Sequence, residues 1–213
     1  MERNVRFRNL LCYGVGDLYG GGSFFIVGTM SMFYLVAVAG LSPLWAALVP
    51  GLGKIWDSFS DPLMGYLTDR TRSRFGRRRV FFLAAVIPVS LTFTLIWLPV
   101  RSWFPSLFSG DFPVFLYYFF AYLCFYTVTT MAMVPYSALS AEMTRDFKKR
   151  NRLTGTRMFF SILAALIAGG LAQPLVHSFR DPSTGYLIMG LCFGVFFALP
   201  WIFVFFGTWE LPL

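Results

Sequence analysis

Apolar and polar positions alternate along this chain in long blocks. Continuous apolar stretches run over 10–39, 43–68, 79–100, 112–140, 154–177 and 185–207. Each is long enough to cross ~30 Å of hydrocarbon at ~1.5 Å of rise per residue. None alternates at period two, so each predicts a helix and not a barrel strand. Turn signals separate them on one side: Gly40-Leu41-Ser42-Pro43, Ser109-Gly110-Asp111 and Asp181-Pro182-Ser183. The expected architecture is an all-α membrane protein, a single six-transmembrane-helix bundle over 1–213. Glycines crowd the first stretch (Gly14, Gly16, Gly20, Gly21, Gly22) and recur in the fifth (Gly169, Gly170). Small residues let helices approach closely in lipid, and the density in the first stretch predicts a departure from regular helix there.

Composition agrees with this pattern. Of 213 residues, 57% are hydrophobic and only 13% charged, whereas soluble domains carry about 25% charge. The net charge of +8 is unevenly spread. Arg3, Arg6 and Arg8 precede the first stretch. Arg70, Arg72, Arg74, Arg77, Arg78 and Arg79 follow the second, and Arg145, Lys148, Lys149, Arg150, Arg152 and Arg157 follow the fourth. Arg101 and Arg180 fall on the opposite side. The positive-inside rule then places both termini and the basic loops in the cytoplasm of a cell inner-membrane protein. Lipid is partner enough for these charges, and no nucleic acid is needed. Met1 to Arg8 is too short and charged for a cleaved signal, so the first stretch is expected to remain as a span. Cys12, Cys124 and Cys192 lie in apolar segments without metal-ligand spacing and read as small buried hydrophobes.

Ionisable groups inside a bilayer cost ~2.5–3.5 kcal/mol each on insertion scales and mark function by default. The second stretch holds Lys54, Asp57 and Asp61, at offsets that place all three on one helical stripe. Two carboxylates one turn apart repel when both are ionised, and a bound Na⁺ or a shared proton relieves this. Oxygen ligands suit a hard cation, and Ser60 adds a hydroxyl. Lys54 can neutralise a carboxylate when no cation is present, so lysine and cation would compete. The alternative is a static ion-pair cluster joining neighbouring helices.

Asp17 either faces the same interior or pairs with Lys54. Arg157 is expected to snorkel or to help close the cytoplasmic end, the alternative being to hold an anionic solute group. Trp56, Tyr118, Tyr122, Tyr126 and Tyr136 could stack on a sugar ring or simply pack. Gly65, Asp69, Arg70, Gly76 and Arg77 form a candidate cytoplasmic gating network, because an Asp at a helix C-terminus is unfavourable unless arginines answer it. Glu142 and Asp146 are expected to form surface ion pairs, and His177 to lie at the outer interface. No catalytic set, metal-ligand spacing or phosphate-binding loop is present in the sequence. Neither an enzyme nor a cofactor is expected, and energy would come from a Na⁺ or H⁺ gradient.

Several segments in order carry a resemblance: Tyr13-Gly14-Val15-Gly16-Asp17, Lys54-Ile55-Trp56-Asp57-Ser58-Phe59-Ser60-Asp61-Pro62-Leu63-Met64-Gly65, Thr71-Arg72-Ser73-Arg74-Phe75-Gly76-Arg77, Val134-Pro135-Tyr136-Ser137-Ala138-Leu139 and Arg157. Through these the chain resembles the glycoside–pentoside–hexuronide:cation symporters, the melibiose permease-like branch of the major facilitator superfamily. The resemblance implies a bundle equivalent to the N-terminal half of a major facilitator fold. It implies a cation site at Asp57, Ser60 (where melibiose permease has asparagine), Asp61 and Thr130, with Lys54 as charge partner. It implies a small-molecule solute of sugar or glycoside type. The first-helix acid that holds a galactosyl group falls at Gly21, the fourth-helix acid at Met133 and a tryptophan at Ser137, so a galactoside is not implied. Asp17, Gly21, Trp56, Tyr126, Met133 and Arg157 are the candidate cavity residues. The eukaryotic lysophospholipid symporters share the scaffold. Since the family has two six-helix bundles with solute between them, either this chain is the first part of a longer protein or it works as a dimer of halves. A non-transporting membrane scaffold is the remaining alternative.

Overall fold

The computed structural model describes residues 6–210; Arg3 of the first basic cluster lies outside the described residues. The described chain contains α1 (Phe7–Gly14), α2 (Asp17–Phe33) with a π-helical turn at Tyr34–Val38, α3 (Pro43–Arg70), α4 (Arg79–Leu95), α5 (Val100–Trp103), α6 (Asp111–Met143), α7 (Phe147–His177) and α8 (Pro182–Gly207), and no strand.

The first expected span is therefore broken. It divides at Val15-Gly16, where Gly16 passes so close to α6 and α8 that a Cβ would sit 2.8 Å from Val204 and 2.9 Å from the Tyr136 ring. Its outer end unwinds through the π turn, in which the Ala39 amide donates to the Tyr34 carbonyl at 2.9 Å. Gly40 (φ +72°) then turns the chain toward α3, with its carbonyl accepting from the Arg101 guanidinium. Helix α4 ends at Leu95, earlier than the apolar run suggests, and α5 follows Pro99. Helix α7 begins earlier than expected. Asp146, expected in a surface ion pair, instead caps it by accepting from the Lys148 amide at 2.8 Å. A carboxylate there satisfies an orphan N–H of the first turn, so Lys148, Lys149, Arg150 and Arg152 lie on the helix itself.

The segments Phe7–Val38, Asp111–Met143, Phe147–His177 and Pro182–Gly207 are long and apolar enough to cross a membrane, and Arg79–Leu95 is a shorter apolar helix. Helix α3 has 28 residues, about 42 Å of rise, but Lys54, Asp57 and Asp61 interrupt its apolar character.

The helices pack chiefly as α4 on α8, α2 on α7 and α3 on α6, with α4 also against α6. Aromatic rings fill the centre: Phe93 meets Phe197 edge-on at 5.1 Å, and Trp201 sits between Tyr19 (5.9 Å) and Phe82 (5.7 Å). Close crossings use small residues, as expected in lipid. At Gly190 of α8 a Cβ would lie 2.8 Å from Trp97. Outward-facing positions on α3 and α7, including Ile55, Phe59, Leu63, Phe159, Ile162 and Leu166, are large and apolar. The cysteines depart from expectation: Cys124 and Cys192 are exposed, and Cys12 is half-buried against Gly207. A thiol is apolar enough to face hydrocarbon as readily as a protein interior.

Candidate cation site and charge networks

Helix α3 sets its stripe against α6. Lys54 donates to Asp57 Oδ2 at 2.7 Å, one turn along the same helix. The other carboxylate oxygen, Asp57 Oδ1, accepts from Thr130 of α6 at 3.1 Å. The Thr130 hydroxyl also lies 3.2 Å from the buried Ser60 hydroxyl. Asp57, Ser60 and Thr130 thus form one contiguous set of hard oxygen donors across the α3–α6 contact. Gly53 makes this approach possible, since a Cβ there would come 2.7 Å from the Tyr126 ring.

Lys54 is largely exposed. Its ammonium lies 5.6 Å from the Phe24 ring centre and 5.5 Å from that of Tyr126, within cation–π range. It does not reach Asp17. Asp61 is exposed and, among the described residues, makes no hydrogen bond or ion pair. The Trp56 indole is tied to α6, donating to Thr127 at 2.9 Å. Tyr118, Tyr122 and Tyr136 are fully buried packing residues.

A second constellation joins α2 to α7. Arg157 Nε donates to Asp17 Oδ2 at 2.9 Å, and the guanidinium covers the Tyr136 ring at 4.6 Å. Both side chains are mostly buried. Arg157 therefore turns inward and does not snorkel, because a carboxylate and an aromatic face are both within its reach. Tyr136 is held in turn by Tyr13: the rings stack at 4.7 Å, and each hydroxyl donates to the other residue's backbone carbonyl, at 2.6 and 3.1 Å.

Gly21 does not open into a cavity. A Cβ there would collide with the Ser161 carbonyl and hydroxyl of α7, so the position serves the α2–α7 crossing. Met133 packs beside Gly20, where a Cβ would meet its methyl at 2.9 Å.

The connection between α3 and α4 forms a third constellation. Arg78 bridges Asp69 at 2.7 Å and Glu142 at 3.0 Å, and Glu142 also pairs with Arg77. Hydrogen bonding to Glu142 raises the Arg77 guanidinium above its ordinary value. Glu142, expected in a simple surface pair, is thus a largely buried hub joining α6 to this connection. Gly76 takes φ +102°, a conformation that favours glycine. The turn it makes presents the amides of Arg77, Arg78 and Arg79 to Glu210, which accepts all three at 2.8–2.9 Å. Arg70 is not part of this network; it stacks on Tyr66 at 4.3 Å. Gly65 has open space around it and accepts from Thr68 at 2.9 Å. Sequence reasoning missed Arg78 and Glu210. The signal for Glu210 was a lone acid just past an apolar helix, near an arginine-rich helix start.

An all-helical membrane bundle with a polar stripe on its second span and a Gly-Arg-Arg-Arg turn after it is the architecture of a half of the major facilitator fold. The family model described as MFS/sugar transport protein matches residues 12–212, and the chain belongs to that family. It is 35% identical over 185 residues to an uncharacterized symporter of Synechocystis sp., covering 83% of this chain and 34% of the relative. A sodium-dependent lysophosphatidylcholine symporter of Danio rerio is 32% identical, covering 81% of this chain and 32% of the relative. A candidate glycoside/cation symporter of Escherichia coli K12 is 30% identical, covering 85% and 38%. The chain spans about a third of the length of these relatives.

Proposed function

We propose that this chain is the cation-binding half of a multi-pass secondary transporter, coupling movement of a small solute to a Na⁺ or H⁺ gradient. The carrying observation is Asp57, one oxygen held by Lys54 and the other by Thr130 beside Ser60. A cation arriving at Asp57, Ser60 and Thr130, with Asp61 swinging in, displaces the Lys54 ammonium. Released Lys54 no longer neutralises the stripe, so the filled and empty states differ in charge arrangement. That difference is what a coupled transporter needs to bias one conformation. The solute site lies between this bundle and a second one, from the same polypeptide or another copy, which rocks against it. The Asp69–Arg78–Glu142–Arg77 cluster holds one conformation closed at the basic end, which faces the cytoplasm of the inner membrane. The role requires no bound cofactor and no catalysed bond change.

The names of the relatives support cation coupling and leave two solute classes. A sugar or glycoside is the first reading. An amphiphile is favoured by Gly21, where an acid to hold a sugar would clash with Ser161, and by the lysophosphatidylcholine symporter among the relatives.

Gradient-driven uptake into proteoliposomes carrying the full-length gene product is the test. Uptake that follows an imposed Na⁺ or H⁺ gradient and collapses in Asp57→Ala, with solute binding retained, supports the proposal. Uptake unchanged in Asp57→Ala and Asp61→Ala leaves a scaffold role. Competition by methyl glycosides against lysophospholipids separates the two solutes.

A further inference from the structure

At the basic end, away from the α3 stripe, α1 and the exit of α8 enclose a pocket of about 360 Å³ lined by Arg6, Arg8, Asn9, Phe206, Thr208 and Trp209. Its walls are fixed by local bonds. The Asn9 amide donates to the Gly207 carbonyl at 2.8 Å, and Asn9 Oδ1 accepts from the Arg6 amide at 3.1 Å. The Thr208 hydroxyl is committed to the Val204 carbonyl at 2.6 Å.

Three donors remain unused. The guanidinium groups of Arg6 and Arg8 have no ion-pair or hydrogen-bond partner among the described residues. Trp209 is nine-tenths buried, and its indole N–H finds no acceptor among the described residues. Glu210, next to Trp209, is occupied by the three amides at the start of α4. The pocket is therefore cationic and rich in donors, with no acid among its described lining residues. Beside it Phe7 and Phe206 are strongly exposed and apolar, as side chains at a hydrocarbon boundary are.

We propose that this pocket binds the phosphate headgroup of an anionic phospholipid from the leaflet at the basic end. The arginines grip phosphate oxygens with paired N–H donors, an oxygen on the inner side satisfies the Trp209 indole, and the acyl chains run past Phe7 and Phe206. The site lies outside the proposed cation and solute path, so it concerns anchoring of the bundle in its membrane.

Native mass spectrometry of the full chain, released from detergent with added phosphatidylglycerol or phosphatidylcholine, tests this. Phosphatidylglycerol should be retained in preference to phosphatidylcholine, whose choline cancels the phosphate charge. Arg6→Gln with Arg8→Gln should weaken retention by about thirtyfold, at ~1 kcal/mol per basic residue at an anionic surface. Trp209→Phe should weaken it less, and Lys148→Gln with Lys149→Gln should leave it unchanged. Equal retention of both lipids, equal loss in the Lys148/Lys149 variant, or full displacement by equimolar inorganic phosphate would each overturn the proposal.

Discussion

Two ion pairs sit inside this bundle and differ in almost every physical respect. Lys54–Asp57 lies within a single helix, one turn apart, with an exposed ammonium. Asp17–Arg157 joins residues 140 positions apart on different helices, and both partners are mostly buried. The first can open without any helix moving. Opening the second leaves a charge stranded between α2 and α7. An exposed pair is worth ~0–1 kcal/mol, whereas breaking a buried one costs ~3–5 kcal/mol. Exchangeability therefore belongs to α3, and rigidity to the α2–α7 crossing.

The contrast can be broken most forcefully at Asp17. Asp17→Ala should lower stability in detergent by about 3 kcal/mol, read as a fall in thermal midpoint. Asp17→Leu with Arg157→Met should recover all but about 1 kcal/mol, because an apolar pair leaves no buried charge. Gly21→Leu attacks the same crossing sterically and should cost about 1–3 kcal/mol through its clash with Ser161. Glu210→Gln weakens a fixed contact at the basic end and should cost about 1 kcal/mol by the same melting assay.

Lys54→Ala should barely change the melting point without ions. Na⁺ should then stabilise it at roughly twofold to fivefold lower concentration than the parent, since the competing ~0.5–1 kcal/mol pair is gone. A variant needing more Na⁺ would contradict competition. The smallest effect is expected at Asp181, where the Thr184 hydroxyl and amide hold the carboxyl below its ordinary value. A depressed folded-state pKa contributes stability that is complete above the unfolded value and lost as pH falls through the folded one. Thr184→Val should therefore flatten the acid limb of a pH–stability profile.

Much of the fold was legible because lipid imposes simple demands. Apolar runs of sufficient length, free of period-two alternation, leave few alternatives to helices. The Lys54–Asp57 contact was also legible, since both residues belong to one helix and three residues on a helix is always one turn. Partners on separate helices were not. Arg157, three residues into its apolar stretch, read as snorkelling or closing the cytoplasmic end, with holding a solute as the alternative, and only packing revealed the acid and tyrosine within its reach. Gly21 read as a cavity position, yet what stands opposite a glycine depends on the crossing of two helices. Glu210 lies more than 130 residues from the amides it accepts.

The sequence by itself determined an all-helical membrane protein, its charge asymmetry and the acidic stripe of α3. These follow from composition and local periodicity, which act over one or two helical turns. Tertiary structure alone decided which charges are locked and which are free, because that depends on the low-dielectric contacts made when separate helices meet. Asp17 was ambiguous in the chain and became a buried anchor only when α7 brought Arg157 against it.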